Sequence, residues 1–287
     1  WCIRSLREED YDRLFTSLGE VDEIVHLWTL RSGTPLADGA ATASWPADLD
    51  VSLVGLHQLV RALVRHTRKT PLLLQVVTSG ACHVKPADAV VPAHAAMTGY
   101  LASISNELPW VDARLADLDQ GVSNLPDIVS AELAALDAEA ITAWRDGRRH
   151  VRRLETVLPP VKSSTEPVLA PGAICLLTGG LGGIGRLVAR LLLSRFHARL
   201  LIVDRVAPAA ATELFGSLAA AGGALLYRQV EITDAAALAA ACREAVAHWN
   251  APLDAAIHLA GAADDRSLAE TDLDHLHRVL SGKALGG

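Results

Sequence analysis

The sequence has few aromatic residues, few cysteines and no excess of positive charge, and each shortage restricts what the protein can be. Its only tyrosines are Tyr11, Tyr100 and Tyr227. The four cysteines are far apart and fit no metal-binding spacing, so we predict no metal site and a reduced, cytoplasmic protein. A net charge of -7 argues against binding to nucleic acid or to an anionic membrane, because both need a basic face.

The sequence also lacks the features of a membrane protein or a disordered chain. No apolar run approaches the ~20 residues that span a bilayer, and no charged-then-apolar leader opens the sequence. Hydrophobic residues make up 51% of the chain and charged residues 21%, which is typical of folded globular proteins. The length of 287 residues allows two ordinary domains.

The first half alternates strand-like and helix-like segments. Residues 141–154, with a turn at Asp146-Gly147, predict a terminal hairpin. Alternation of this kind predicts a parallel sheet covered on both faces. The predicted strands are Ile24–Leu30, Leu72–Thr78 and Val111–Leu118, and the predicted helices are Val51–His66, Ala95–Leu108 and Ile128–Leu136.

The second half repeats the same alternation after a Ser-, Thr- and Pro-containing stretch at residues 161–171, which we interpret as a linker. We therefore expect domains at 1–160 and 172–287. A full dinucleotide-binding fold has about six strands, so four strands predict a second domain that is truncated at its C-terminus. Those strands are Ile174–Leu177, Leu200–Val203, Leu225–Val230 and Ala255–Leu259, and the helices are Ile184–Leu193, Ala209–Ala221, Asp234–His248 and Leu273–Leu280.

A glycine-rich loop gives the sharpest functional signal. It follows a predicted strand and opens a predicted helix, the context in which glycines let backbone amides approach a pyrophosphate at the positive end of a helix. A plain glycine-rich turn is the structural alternative. The loop consists of Thr178, Gly179, Gly180, Leu181, Gly182, Gly183, Ile184 and Gly185.

Other polar groups follow the later strands of the second half. Asp204 is typical of ribose binding, whereas Arg205 favours a 2′-phosphate, so this pair leaves NADH and NADPH open. Thr233 is a candidate cap for the helix that begins near Asp234. His258 is either a ligand contact or a satisfied histidine at the end of a strand.

These residues resemble the short-chain dehydrogenase/reductase superfamily, and within it the ketoreductase domain of modular polyketide synthases. The second half is similar to the catalytic subdomain through TGGLGGIG, the Arg after the second strand and the H-x-A-G turn at 258–261. The first half is similar to the structural subdomain through IVHLWTL, VVTSGACHV, the stretch at 92–109 and AWRDGRR at 143–149. The resemblance implies two Rossmann-like subdomains in an α/β fold, the first shortened and without a cofactor loop.

The resemblance also implies the cofactor and its contacts. The loop residues 178–185 would bind the pyrophosphate of NADPH, and Arg205 would meet its 2′-phosphate. Asp204 departs from the family, which usually has a small residue there, and Glu231 stands where an Asp is usual near the adenine. The remaining cofactor contacts implied by the resemblance are Ile232, His258, Ala260 and Gly261.

The catalytic residues are implied only in part. Asp265 in Ala263-Asp264-Asp265 matches the last Asp of the family's Leu-Asp-Asp string, which is associated with the D-configured, B-type alcohol; an acidic surface loop is the alternative. Lys283 matches the family's catalytic lysine, although alone it would be an ordinary surface lysine. The catalytic Ser and Tyr are expected downstream, so we expect the sequence to be a fragment with little cofactor affinity and no activity of its own.

The implied function is NADPH-dependent reduction of a β-ketoacyl thioester on an acyl carrier protein, beside neighbouring synthase domains. The alternatives are a degenerate scaffold ketoreductase and a free-standing short-chain dehydrogenase or epimerase. A further hypothesis is that an arginine cluster docks the acidic carrier protein, although alternation on a hairpin would place some of its members on a solvated face. The cluster consists of Arg145, Arg148, Arg149, Arg152 and Arg153.

Overall fold

The computed structural model describes residues 2–30, 45–66, 70–119, 122–137, 139–157, 169–219 and 224–286. The chain divides into two compact units. Unit 1 contains residues 1–156 together with 266–273, and unit 2 contains residues 157–265 together with 274–287. The predicted linker at 161–171 lies mostly outside the described residues, and the predicted domain bounds stay predictions. Sequence reasoning placed 266–273 in the second domain, whereas the structure packs this segment with unit 1.

Unit 1 is built on a five-stranded sheet with the order β1-β2-β3-β4-β5, in which only β5 is antiparallel. Asp146 and Gly147 both have positive φ, as the tight β4–β5 hairpin requires. The strands are β1 (Glu23–His26), β2 (Leu72–Ser79), β3 (Val111–Leu118), β4 (Ile141–Arg145) and β5 (Arg148–Val151). The helices are α1 (Glu8–Leu18), α2 (Trp45–Leu49), α3 (Gly55–His66), α4 (Pro92–Glu107) and α5 (Leu125–Leu133), with a π-helical turn at Asp50–Val54.

Helices cover both faces of this sheet. Alternate residues of β2 point to opposite faces, so Leu74 and Val76 join one core with α3 and α4, while Val77 joins another with Ile128 of α5. The prediction that the first strand extends to Leu30 is wrong. Pairing with β2 ends at His26, and the chain then turns so that the N–H of Leu30 donates to the carbonyl of Leu27.

Unit 2 is built on a four-stranded, wholly parallel sheet with the order β8-β7-β6-β9. Its strands are β6 (Ile174–Thr178), β7 (Arg199–Asp204), β8 (Ala224–Gln229) and β9 (Ala255–His258). Its helices are α6 (Gly183–Phe196), α7 (Pro208–Ala219), α8 (Ala235–Trp249) and α9 (Leu273–Leu280), followed by a π-helical turn at Ser281–Leu285.

The unit 2 sheet is also covered on both faces. One core contains Cys175, Leu177 and Ile202 with residues of α6 and α7, and the opposite core contains Leu201 and Val203 with residues of α8. The expected α/β class with parallel sheets is therefore confirmed. Among the described residues, no helix is both long and apolar enough to span a membrane.

Candidate functional site

The glycine loop lies between the end of β6 and the start of α6. Gly179 has a φ of +65°, and a Cβ added there would lie 2.6 Å from the backbone nitrogen of Ala260. A Cβ on Gly185 would lie 2.3 Å from the carbonyl oxygen of Gly179. Both positions are therefore restricted to glycine by backbone conformation or by close packing. The first N–H groups of α6, like those of any helix, have no partner within the helix.

A cleft of about 510 Å³ opens beside this loop. It lies where the strand order reverses between β6 and β9, at the carboxyl ends of the strands, which is the usual ligand position in open α/β sheets. Nine of the predicted cofactor residues line it: Thr178, Gly179, Leu181, Gly182, Arg205, Glu231, Ile232, Ala260 and Gly261.

The other predicted cofactor residues lie around the cleft rather than in its lining. Gly180 faces inward, where an added Cβ would meet the Ile202 side chain at 2.7 Å. Gly183 and Ile184 open α6 and are exposed, while Gly185 supports the back of the loop. A direct cofactor contact from these four residues stays a prediction.

The two charged residues after β7 have different surroundings. The carboxylate of Asp204 accepts hydrogen bonds from the backbone N–H groups of Leu181 and Val206, at 3.2 and 3.4 Å. Asp204 thus connects the glycine loop to the β7–α7 turn. The side chain of Arg205 is exposed, and among the described residues its guanidinium has no hydrogen-bond or ion-pair partner.

His258 connects three backbone segments. Its Nε2 lies 3.0 Å from the carbonyl oxygen of Gly282, which can only accept, so Nε2 carries the proton and Nδ1 accepts. The hydroxyl of Thr178 donates to Nδ1 at 2.8 Å and itself accepts from the N–H groups of Leu259 and Ala260. Both ring nitrogens of His258 are therefore occupied within the protein.

Lys283 lies on the π-helical turn at Ser281–Leu285, to which His258 is hydrogen-bonded through the carbonyl of Gly282. Its side chain passes over Gly261, where an added Cβ would lie 3.3 Å from Lys283 Cε. The structure thus brings Lys283 next to the H-x-A-G turn, and its ammonium group is exposed. Asp265 is also exposed, in a stretch without regular secondary structure, and it does not line the cleft.

Comparison with known proteins identifies the family. The KR domain family matches residues 173–287. Polyketide synthase ThaG of Burkholderia thailandensis is 31% identical over 256 residues, an alignment that covers 86% of this chain and 4% of that protein. Solved A-type ketoreductases from a modular polyketide synthase superpose with a TM-score of 0.77 at 26% identity, covering 98% of this chain and 59% of theirs. The chain belongs to the polyketide synthase ketoreductases.

Ketoreductase domains are oxidoreductases within larger synthases. The spectinabilin polyketide synthase system protein NorA of Streptomyces orinoci is similar too, with 36% identity over 215 residues, 74% of this chain and 11% of that protein. The chain spans well under two thirds of each of these curated relatives. Since these relatives are multidomain synthases, neighbouring domains are implied.

Sequence reasoning missed part of the cleft of this ketoreductase. Arg278 of α9 lines it, and no sequence signal distinguished this residue from any other exposed arginine. The predicted cap of α8 is also corrected. Asp234, not Thr233, is the N-cap, because its carboxylate accepts from the N–H of Ala237 at 2.9 Å and satisfies a free helix-end donor.

The three tyrosines of the ketoreductase all have structural positions. Tyr11 is buried in the unit 1 core, and the Tyr100 hydroxyl is hydrogen-bonded to His57. The Tyr227 hydroxyl donates to the carbonyl oxygens of Asp204 and Val206. Burial raises the pKa of each of these phenols, the opposite of the shift that favours proton transfer near neutral pH.

The predicted arginine cluster is largely neutralised inside unit 1. Arg145 is only 3% exposed and pairs with the buried carboxylate of Asp117 at 2.6 Å. Arg149 pairs with Glu132, and Arg153 with Glu139. Among the described residues, only Arg148 and Arg152 of the five have no ion-pair partner. The hairpin therefore does not present all five arginines as a docking surface for a carrier protein.

Proposed function

We propose that this chain forms the cofactor-binding part of a ketoreductase that uses NADPH to reduce a β-ketoacyl thioester to the β-hydroxyacyl thioester during polyketide synthesis. The observation that carries the proposal is the cleft at the β6/β9 reversal, lined by the glycine loop on one side and Arg205 on another. Its volume of about 510 Å³ lies within the range of small-molecule sites.

The residues of the cleft fit a dinucleotide. The positions of Gly179 and Gly185 leave no room for a side chain, so the loop backbone can approach a pyrophosphate closely. Two cations, Arg205 and Arg278, line the same cleft and suit an anionic ligand. Bound NADPH would supply the hydride for reduction.

The position of Asp204 supports NADPH over NADH. Its carboxylate is engaged by two backbone N–H groups, whereas the neighbouring Arg205 guanidinium is exposed and unpaired among the described residues. Arg205 would bind the 2′-phosphate, because a guanidinium matches phosphate geometry with several parallel donors. Glu231 and Ile232 would border the adenine from the end of β8.

Lys283 is assigned the electrostatic role at the reaction site. Its ammonium would lower the pKa of a tyrosine that protonates the developing alkoxide, while a serine hydroxyl would bind the carbonyl oxygen. The chain's three tyrosines are buried or engaged elsewhere, so none of them is assigned as the acid. Asp265 is assigned the control of stereochemistry, toward the B-type, D-configured alcohol.

The proposed substrate is carried by an acyl carrier protein, and neighbouring synthase domains are the proposed partners. Arg148 and Arg152 are the two cluster arginines without ion pairs among the described residues, so a carrier contact on the hairpin would use them. This surface is a minor part of the proposal, because two exposed charges contribute little affinity in salt.

A cofactor titration tests the proposal. We expect the complete reductase that contains residues 1–287 to quench or shift NADPH fluorescence with a Kd at least about tenfold lower than that for NADH, a difference of about 1.4 kcal/mol. Arg205→Ala should bring the two affinities close together by weakening NADPH only. Arg148→Ala, which removes an exposed cation from unit 1, is the matched control and should leave both unchanged. No binding of either dinucleotide would refute the proposal and favour a scaffold role.

A further inference from the structure

The segment Arg266–Leu273, here called the crossing segment, packs with unit 1 although the chain on both sides of it belongs to unit 2. Leu268 is buried in the unit 1 core, and its N–H donates to the carboxylate of Glu107 at 2.7 Å. The carbonyl of Thr271 lies 2.8 Å from Nε2 of His57. Two separate helices of unit 1, α3 and α4, therefore bind this segment.

His57 is fully buried and makes two hydrogen bonds of defined direction. The Thr271 carbonyl can only accept, so Nε2 carries the proton and Nδ1 is left as an acceptor. The hydroxyl of Tyr100 lies 2.6 Å from Nδ1 and donates to it. The Thr271 carbonyl thus selects the tautomer of His57, and the hydrogen bond from Tyr100 orients the imidazole ring toward the crossing segment.

The crossing segment contains a turn that is stabilised by hydrogen bonds within the segment. The side chain of Ser267 donates to the carboxylate of Glu270 at 2.9 Å, and the hydroxyl of Thr271 donates to the carbonyl of Ser267 at 2.9 Å. The N–H groups of Glu270 and Thr271 also donate to that carbonyl. A turn with this many internal hydrogen bonds moves as one piece, so fixing Thr271 and Leu268 fixes the whole segment.

The chain connects this segment directly to two residues of the proposed reaction. Asp265 immediately precedes Arg266, and α9, which begins at Leu273, leads to the turn that carries Lys283. We propose that His57, oriented by Tyr100, is a positioning residue that holds the crossing segment and so restricts Asp265 and the start of α9. This inference rests on the proposed function for the role of Asp265, but the anchoring itself can be tested without it.

Hydrogen–deuterium exchange on residues 1–287 without cofactor tests the anchoring. His57→Gln places an amide N–H near the position of Nε2 and keeps the donor to Thr271, whereas His57→Leu has similar size and no donor. We expect peptides within 262–273 to exchange at least about tenfold faster in His57→Leu and near the wild-type rate in His57→Gln. Peptides within 174–196 should be unchanged in both. Equal rates in wild type and His57→Leu would overturn the proposal.

If His57→Leu does not fold, Tyr100→Phe decides the question, because it removes one hydroxyl and keeps the ring. Without that hydroxyl the imidazole ring loses the hydrogen bond that orients it, and exchange in 262–273 should be faster by at least about twofold. Unchanged exchange in Tyr100→Phe would then refute the proposed role of the pair.

A pH profile separates positioning from simple packing. Burial lowers the pKa of His57, with the Thr271 carbonyl opposing the shift and Arg61, Glu8 and Asp272 as the charged groups that act on it. Burial therefore favours the neutral form, in which Nδ1 accepts from Tyr100, and the packing of the segment around His57 should weaken as the pH falls below the ordinary value of about 6.5. The exchange ratio of 262–273 to 174–196 should rise over that range in wild type and not in His57→Gln. A pH-independent ratio in wild type would contradict the proposal.

The link to stereochemistry is measured in the complete reductase that contains this chain. His57→Leu should lower the ratio of the two β-hydroxy epimers by about tenfold or more, which is about 1.4 kcal/mol, while leaving the NADPH Kd unchanged. His57→Gln should restore the ratio. Faster exchange with an unchanged ratio would keep the anchoring and reject its role in stereocontrol, and failure of the wild type to bind NADPH would reject the proposed function alone.

Discussion

The two sheets of this ketoreductase differ at their carboxyl edges, where one holds a buried carboxylate and the other borders a cleft. In unit 1 the N–H groups of Ala81 and Cys82, after β2, donate to the carboxylate of Asp117 at 2.7 and 3.0 Å, and Arg145 pairs with that carboxylate. In unit 2 the corresponding loop, after β6, borders an open cleft. Unit 1 thus holds the buried carboxylate of Asp117 at this edge, whereas unit 2 has space there for an anionic ligand.

Strand order explains why the two edges differ. The described unit 1 strands follow one another in sequence order across the sheet, so their order does not reverse. In unit 2 the order reverses between β6 and β9, and the cleft lies at the carboxyl ends of these strands. A shared α/β pattern therefore does not by itself imply a cofactor. The reversal and the glycines create the site.

The largest expected effect comes from breaking the Arg145–Asp117 ion pair at the carboxyl edge of the unit 1 sheet. Arg145→Leu leaves the buried carboxylate of Asp117 without its charged partner, and losing one member of a buried pair costs about 3–5 kcal/mol. Urea unfolding followed by tryptophan fluorescence measures it, in a Trp249→Phe background that leaves only tryptophans of unit 1. Arg153→Leu, at an exposed ion pair, is the control and should not change the midpoint. Equal urea midpoints for Arg145→Leu and Arg153→Leu would refute this difference between the buried and the exposed ion pair.

Displacing the glycine loop beside the cleft of unit 2 should weaken NADPH binding without preventing folding. A Cβ on Gly185 would overlap the Gly179 carbonyl, whereas nothing lies within 4 Å of a Cβ on Gly183. We expect Gly185→Ala to weaken NADPH binding by about 100-fold, or about 2.7 kcal/mol, by displacing the loop. Gly183→Ala, two residues away, should stay near wild type in the same fluorescence titration. Similar losses in both would show that the loop geometry does not determine affinity.

The smallest expected effect concerns acid stability of unit 1. Burial lowers the pKa of His26, to about 4, and its ring nitrogens have no hydrogen-bond partner among the described residues. The folded state therefore favours neutral His26, and stability is lost as the pH falls from about 6.5 toward 4. From pH 7.5 to pH 5 this loss should be about 2 kcal/mol. His26→Leu should remove that part of the pH dependence in urea unfolding, and an unchanged slope would contradict the assignment.

Local patterns predicted the elements well, because their signals lie within a few residues of one another. The strand Val111–Leu118 and the glycine loop after β6 have the predicted bounds and context. The crossing segment had no such signal, since its anchors His57 and Glu107 lie more than 150 residues earlier in the sequence. Arg145 likewise resembled a surface cation, because hairpin alternation does not show that Asp117 of another strand faces it.

His258 connects the proposed pyrophosphate loop, through Thr178, to the carbonyl of Gly282, one residue before Lys283. A ligand that restrains Thr178 therefore restrains the lysine as well, and thermodynamic linkage makes the effect mutual. A substrate that restrains Lys283 would in turn strengthen the binding of the dinucleotide. Cofactor and substrate affinities would then be cooperative, with the imidazole of His258 as the group that couples them.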